Sequence, residues 1–220
     1  MTQKHFIPAL RYNWLTRLYD PILHLTMPER KFKADLLASA GIAAADRVLD
    51  FGCGSLTLSI MGQRQFPHTD FFAIDVDEKI LAIARKKARS ENMDIQIDHY
   101  DGIQLPYQDN LFDHVISSLV FHHLTPQQKS SALTELNRVL KPGGKIHICD
   151  FGYPSNKVQR VAFYIIQNLD GFKTTTGNVQ GVIPRLMTQS KFTNVRERGI
   201  FKTAVGTVRT VSGQKQPTIQ

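Results

Sequence analysis

Three groups of residues in this 220-residue chain have types and spacings that could do chemistry. The first is the run VLDFGCGSLTLS, Val48 to Ser59, where an apolar strand carrying Asp50 runs into Gly52-Cys53-Gly54 and then a helix. The second is Asp75, which closes the next apolar run, TDFFAID, 25 residues after Asp50. Glycines let a backbone approach a ligand closely, and a carboxylate after the second strand can accept hydrogen bonds from both hydroxyls of a ribose. The spacing therefore predicts an adenosine site, with capping of the following helix as the alternative role for Asp75. A dinucleotide loop would place its third glycine at Thr57, and its absence disfavours NAD. Leu56 stands where a GxGxG loop would end, and at the start of a helix it is expected to take ordinary helical dihedrals. The third group is His122-His123 with Asp150. A neutral imidazole can take a proton from a hydroxyl, although a structural role is the stronger reading of these histidines, and Asp150 is another candidate base, read first as a structural or substrate-orienting group.

The elements that must position these groups alternate. DRVLDF, TDFFAID, DIQIDHY, LFDHVISSL and KIHICDF read as strands; LTLSIMGQRQF, DEKILAIARKKARSEN and TPQQKSSALTELNRVL read as helices between them. Thr125 is the expected N-cap of the last of these, with Pro126 at its first position and KPGG as the stop. An earlier helix opens after Pro28 and stops at Gly41. Parallel neighbours need crossover connections, so the pattern predicts an α/β fold, doubly wound on a mostly parallel sheet. In the last third NKVQRVAFYIIQNL reads as a helix, DGFKTTTG as a loop and NVQGVIPRLMTQS as another helix; FTNVRERGIF and KTAVGTVRTVSG form an antiparallel terminal hairpin. Residues 1–27 read as an amphipathic cap, with Leu10, Trp14 and Leu18 on one helical face, and residues 213–220 as a flexible tail.

At this point the chain resembles the class I S-adenosylmethionine-dependent methyltransferases, most closely the ubiquinone and menaquinone C-methyltransferase branch. Four stretches carry the likeness in order: VLDFGCG, FFAIDVDEKILAIARKKA, DGIQLPYQDNLFDHVISSLVFHHL and LNRVLKPGGKIHICDF. The resemblance implies a seven-stranded, Rossmann-like domain over residues 28–212, S-adenosylmethionine as cofactor and S-adenosylhomocysteine as its product. It implies that Gly52, Cys53 and Gly54 shape the loop under the methionine portion, and that Asp50 fixes that loop or the amino group. Asp75 would hold the ribose and Val76 would pack on adenine. Asp101 would accept from the adenine amino group, with Gly102 or Ile103 offering a backbone N–H to the ring, unless Asp101 is simply a turn residue. Ser118 and Leu119 would lie beside the methyl group, and Tyr19 would close over the cofactor.

Composition narrows the rest. No run of 18 uncharged apolar residues is present and the N-terminus lacks a signal peptide's apolar block, so a cytoplasmic location is expected. Cys53 and Cys149 show no paired spacing; they are expected to be buried thiols, and no metal-ligand set is read. Residues 1–150 carry 17 Lys and Arg against 17 Asp and Glu, whereas residues 151–220 carry 10 against 2. That asymmetry could mark contact with nucleic acid, an anionic membrane face or an acidic substrate. The aromatic side chains Trp14, Phe151, Tyr153, Phe163, Tyr164 and Phe172 suggest instead a small hydrophobic or aromatic acceptor, such as a lipid, quinone-like ring or secondary metabolite. An RNA- or protein-modifying enzyme and a non-catalytic cofactor-binding homologue are the alternatives; oligomeric state is not legible.

Overall fold

The computed structural model describes residues 27–217. Tyr19 and the rest of the expected N-terminal cap before Met27 lie outside them. Seven strands form one sheet: β1 (Arg47–Phe51), β2 (Asp70–Asp75), β3 (Gln96–His99), β4 (Phe112–Ser118), β5 (Leu140–Phe151), β6 (Phe192–Thr203) and β7 (Gly206–Lys215). Their order is β3-β2-β1-β4-β5-β7-β6. The first five run parallel, and β7 enters antiparallel between β5 and β6. The chain winds outward from β1 in one direction through β2 and β3, then returns to the other side at β4. In open α/β sheets the crevice at such a reversal, outside the carboxyl ends of the strands, is where ligands sit.

Among the described residues seven α-helices cover the sheet: α1 (Glu29–Ala40), α2 (Thr57–Gln65), α3 (Glu78–Ser90), α4 (Pro126–Val139), α5 (Lys157–Asp170), α6 (Phe172–Val179) and α7 (Val182–Gln189). Period-two alternation in the strands sends neighbouring residues to opposite faces. Val48, Ala73, Ile116 and Cys149 join one buried cluster with α1, α2, α3 and α5; Leu49, Ile74, Val115 and Ile148 join the other with α4 and α7. Both faces are thus covered, as a parallel sheet requires.

The helix ends follow from local chemistry. Gly41 stops α1 with a left-handed φ of 69°. A reciprocal capping box opens α4: Gln128 donates its N–H to the Thr125 hydroxyl, and its side chain accepts from the Thr125 N–H. Three expectations fail. The stretch expected as a loop, DGFKTTTG, contains most of α6, because Thr174, Thr175 and Thr176 turn their hydroxyls back onto carbonyls of the preceding turn and do not leave the helix. The next expected helix is broken at Gly181, whose left-handed conformation separates α6 from α7. The expected tail begins late, since β7 continues to Lys215 and Gln214 pairs with Lys145.

Candidate functional site

The glycine turn after β1 is tied to β2 by its backbone: the N–H groups of Gly52 and Cys53 both donate to the Ile74 carbonyl, at 2.9 and 3.0 Å. Gly52 is required sterically, since a Cβ there would meet Val120 Cγ2 at 2.4 Å. Gly54 faces open space and has a φ of +52°, so the chain presents bare backbone to that space. The Asp75 carboxylate accepts from the Gly54 N–H at 2.9 Å and from the Asp77 N–H at 3.1 Å. Asp77, not Asp75, caps α3, accepting from the Lys79 N–H at 2.8 Å. Each carboxylate oxygen of Asp75 can accept a further hydrogen bond, as a ribose diol demands.

Asp50 is buried and accepts from the Ser59 hydroxyl at 2.6 Å, a partner in the first turn of α2 that no sequence motif singles out. Burial pushes its carboxyl up to about 6, against the opposing pull of the Ser59 hydrogen bond and Lys33. The Cys53 thiol is also buried, and burial with the nearby Asp50 and Asp75 charges keeps it protonated. It is no nucleophile, and its place in the loop is through its backbone.

Leu56 departs from expectation. Its φ of 71° and ψ of 15° are left-handed, not helical, and its side chain is wholly buried in the core beside α1 and α2. The turn needs at this position the conformation glycine takes freely, and Leu bears it because its side chain packs inward. Leu56→Gly should therefore relieve about 1 kcal/mol of backbone strain while losing a larger burial term, lowering stability by about 1–3 kcal/mol overall. Chemical denaturation reads the loss. Affinity for S-adenosylhomocysteine should stay unchanged, and a large shift would place the side chain against the ligand instead.

On the adenine side, the expected contacts are partly taken. Asp101 Oδ1 accepts from the N–H groups of Ile103 and Gln104 at 2.8 and 3.2 Å, which makes it the turn residue of the alternative reading and draws its carboxyl down. The Ile103 N–H is consumed there and does not face outward for an adenine ring. Val76 lies 3.7 Å from a Cβ built on Gly102, so these two line one wall together. Across the crevice, Ser118 ends β4 with a buried hydroxyl that lacks a partner among the described residues. Leu119 follows in a left-handed conformation, φ 59°, its N–H bonded to the Cys149 carbonyl. A buried donor without a partner among the described residues, an open glycine and a carboxylate with spare acceptor sites, at the carboxyl ends of β4, β1 and β2, fit an adenosyl group with a polar amino-acid tail.

The histidine group is bound into the fold. Asp150 Oδ2 accepts from the Phe121 N–H at 2.6 Å, and Oδ1 accepts from the Phe151 N–H and lies 2.7 Å from His122 Nδ1. Both partners are buried; the Asp150 carboxyl is drawn down by His122 and the imidazole is raised by Asp150, each against the cost of burial. The pair clamps the loop after β4, which favours the anchoring role over the proton-taking one. The His123 ring lies tilted against that of His122 with centres 3.9 Å apart, and burial with the neighbouring His122 charge lowers it. Asp170, from the end of α5, lies 3.6 Å from His122 Nε2 and 3.8 Å from His123 Nδ1. Its part in the cluster was invisible in the sequence because only the packing of α5 brings it there.

Of the aromatics expected around an acceptor, Phe151 and Phe163 are core, in contact with each other at 5.0 Å between ring centres. Tyr153, Tyr164 and Phe172 are exposed. A cavity of about 200 Å³ reaches Asp150, Phe151 and Tyr153, and Tyr153 also borders a second cavity of about 600 Å³ with Lys157 and Arg160.

Residues 48–144 match the family described as a methyltransferase domain. Over this stretch the chain is similar to S-adenosylmethionine-dependent methyltransferases. Among its relatives, a demethylmenaquinone methyltransferase of Thermus thermophilus is 33% identical over 146 residues, 66% of this chain and 63% of the relative. A 2-phytyl-1,4-naphtoquinone methyltransferase of Synechocystis is 35% identical over 130 residues, 57% of this chain and 53% of the relative. The matched stretch thus spans between about half and two thirds of the length of such relatives. The fold is also that of Haemonchus contortus phosphoethanolamine N-methyltransferase 2 in complex with S-adenosyl-L-methionine, with a TM-score of 0.68 at 16% identity over 86% of this chain and 53% of that one. No helix among the described residues is long and apolar enough to cross a membrane.

Proposed function

We propose that this chain transfers a methyl group from S-adenosylmethionine to a small lipophilic acceptor, a reduced quinone-type ring. The observation that carries the reading is the Asp75 carboxylate, held against the Gly54 N–H at the reversal between β1 and β4 with acceptor sites to spare. The names of the relatives, two of them quinone-ring methyltransferases, support the acceptor class. A bound S-adenosylmethionine would supply a methyl already activated on a sulfonium. What remains for the protein is chiefly placement: Gly52 and Gly54 admit the cofactor, Asp75 fixes its ribose, and the His122–Asp150 clamp holds the loop that carries Val120 against Gly52. The basic last third is not read as a nucleic-acid track, because its cations at Lys157, Arg160 and Lys173 are interleaved with exposed Val158, Val161, Ile165 and Phe172.

Calorimetry with S-adenosylhomocysteine tests the cofactor half: Asp75→Ala should weaken binding by about 10–100-fold, the loss of one or two charge-assisted hydrogen bonds. Unchanged affinity would displace the ribose from Asp75. Transfer of labelled methyl to a short-tailed demethylated naphthoquinol tests the acceptor half, and no incorporation by a chain that binds the cofactor would remove that acceptor class.

A further inference from the structure

Helix α5 is apolar on both sides. Phe163 and Ile166 point into the core, yet Val158, Val161, Tyr164 and Ile165 lie on the opposite side with 73, 65, 44 and 48% of their surface exposed. Phe172, at the start of α6, extends the same strip, its ring centre 6.4 Å from that of Tyr164. A helix hydrophobic all round is ordinarily covered, and contiguous exposed apolar patches mark contact sites.

The charges around the strip have one sign. Lys157 begins α5, Arg160 lies over the Tyr164 ring at 4.1 Å, and Lys173 follows Phe172. The two carboxylates of residues 151–217 are engaged elsewhere: Asp170 faces His122 and His123, and Glu197 pairs with Arg209. Apolar side chains flanked by Lys157, Arg160 and Lys173, with both carboxylates of residues 151–217 engaged elsewhere, match an anionic bilayer surface, where the apolar groups enter the headgroup boundary and the cations meet lipid phosphates.

We propose that the outer face of α5, with Phe172, docks this protein on an anionic membrane. The cavities described above give the docking a purpose. The larger one borders α5 at Lys157 and Arg160, and Tyr153 lies on both it and the smaller cavity that reaches Asp150. A lipid-soluble molecule leaving the bilayer at α5 would have a lined route toward the carboxyl edge of β5. The surface itself stands on exposure and charge and holds whether or not the proposed methyl transfer is right.

Flotation of the full chain with vesicles, without cofactor or acceptor, tests it. The chain should float with phosphatidylcholine vesicles containing about a third phosphatidylglycerol, at least about tenfold more strongly than with phosphatidylcholine alone, and high salt should release it. The double variant Val161→Glu, Ile165→Glu should lose binding, and Lys157→Glu with Lys173→Glu should lose the preference for anionic lipid. Both should bind S-adenosylhomocysteine as the parent does. Failure of the parent to float overturns the proposal, as does undiminished binding by the first variant or an unaltered lipid preference in the second. A patch that forms a dimer in place of floating, abolished by Val161→Glu, would also overturn it and assign the face to a second copy. None of these outcomes bears on the methyl-transfer reaction.

Discussion

Replacing His147 with leucine should make the fold markedly more resistant to acid. His147 lies mid-strand in β5, 1% exposed, with neither ring nitrogen partnered among the described residues. Burial, then the charges of His114, Lys145 and Arg198, push the imidazole down to about 3. Its folded value is below the unfolded 6.5, so the unfolded chain binds more protons between them and stability falls as pH drops from 6.5 toward 3. One pKa unit is about 1.4 kcal/mol, so the loss from this residue alone reaches about 3 kcal/mol by pH 4. His147→Leu removes that loss and two buried polar atoms as well. Urea denaturation at a series of pH values should show the variant near parity or better at pH 7.5 and gaining steadily below 6. Parallel curves for variant and parent would mean that the ring is protonated, or hydrated, in the fold.

Asp50→Asn should act in the opposite direction. The Asp50 carboxyl sits at about 6 in the fold, above its ordinary 3.8, so the folded chain binds more protons in that window and stability falls as pH rises through it. An amide keeps an acceptor for the Ser59 hydroxyl and removes the buried charge. The variant should therefore be more stable than the parent by about 2–3 kcal/mol above pH 7, with the gain vanishing below pH 4. Affinity for S-adenosylhomocysteine should fall by about tenfold if that charge serves the amino-acid end of the cofactor. Stabilisation with unchanged affinity would leave Asp50 as a fastener of the glycine turn through Ser59. Because the Asp50 and His147 slopes oppose each other between pH 4 and 6, the parent's own profile conceals both. Difference curves for the single variants separate them.

The parallel half of the molecule was legible because its signals are local and redundant. Apolar runs, glycine turns and the Thr125 N-cap followed by Pro126 each mark a boundary where the structure has one. Asp75 could be singled out by its place after the second strand. What escaped the sequence depends on contacts between distant segments. Leu56 was read as helical because leucine ordinarily is; only the core beneath it holds the left-handed turn. Asp170 joined no motif, and α6 was hidden by a threonine run whose hydroxyls satisfy the helix they usually weaken. The unpartnered ring of His147 could not be anticipated at all, since an alternating strand, KIHICDF, looks the same whichever face its polar residues meet.

The insertion of β7 between β5 and β6 separates two kinds of dependence on side chains. Up to β5, each strand return relies on a helix whose apolar stripe must fit the sheet. From Phe192 onward the chain returns by a hairpin ladder and by β7 against β5, bonds that backbone makes with almost any residue, while its inward side chains Phe192, Val205, Val208 and Val211 join the core. The family match ends at residue 144, while likeness in shape to the Haemonchus enzyme takes in 86% of the chain. A mutational scan should accordingly find two grades of tolerance on one sheet: a cofactor half that admits few changes, and a terminal half whose outward-facing residues can be rewritten for a different acceptor or surface without losing the frame.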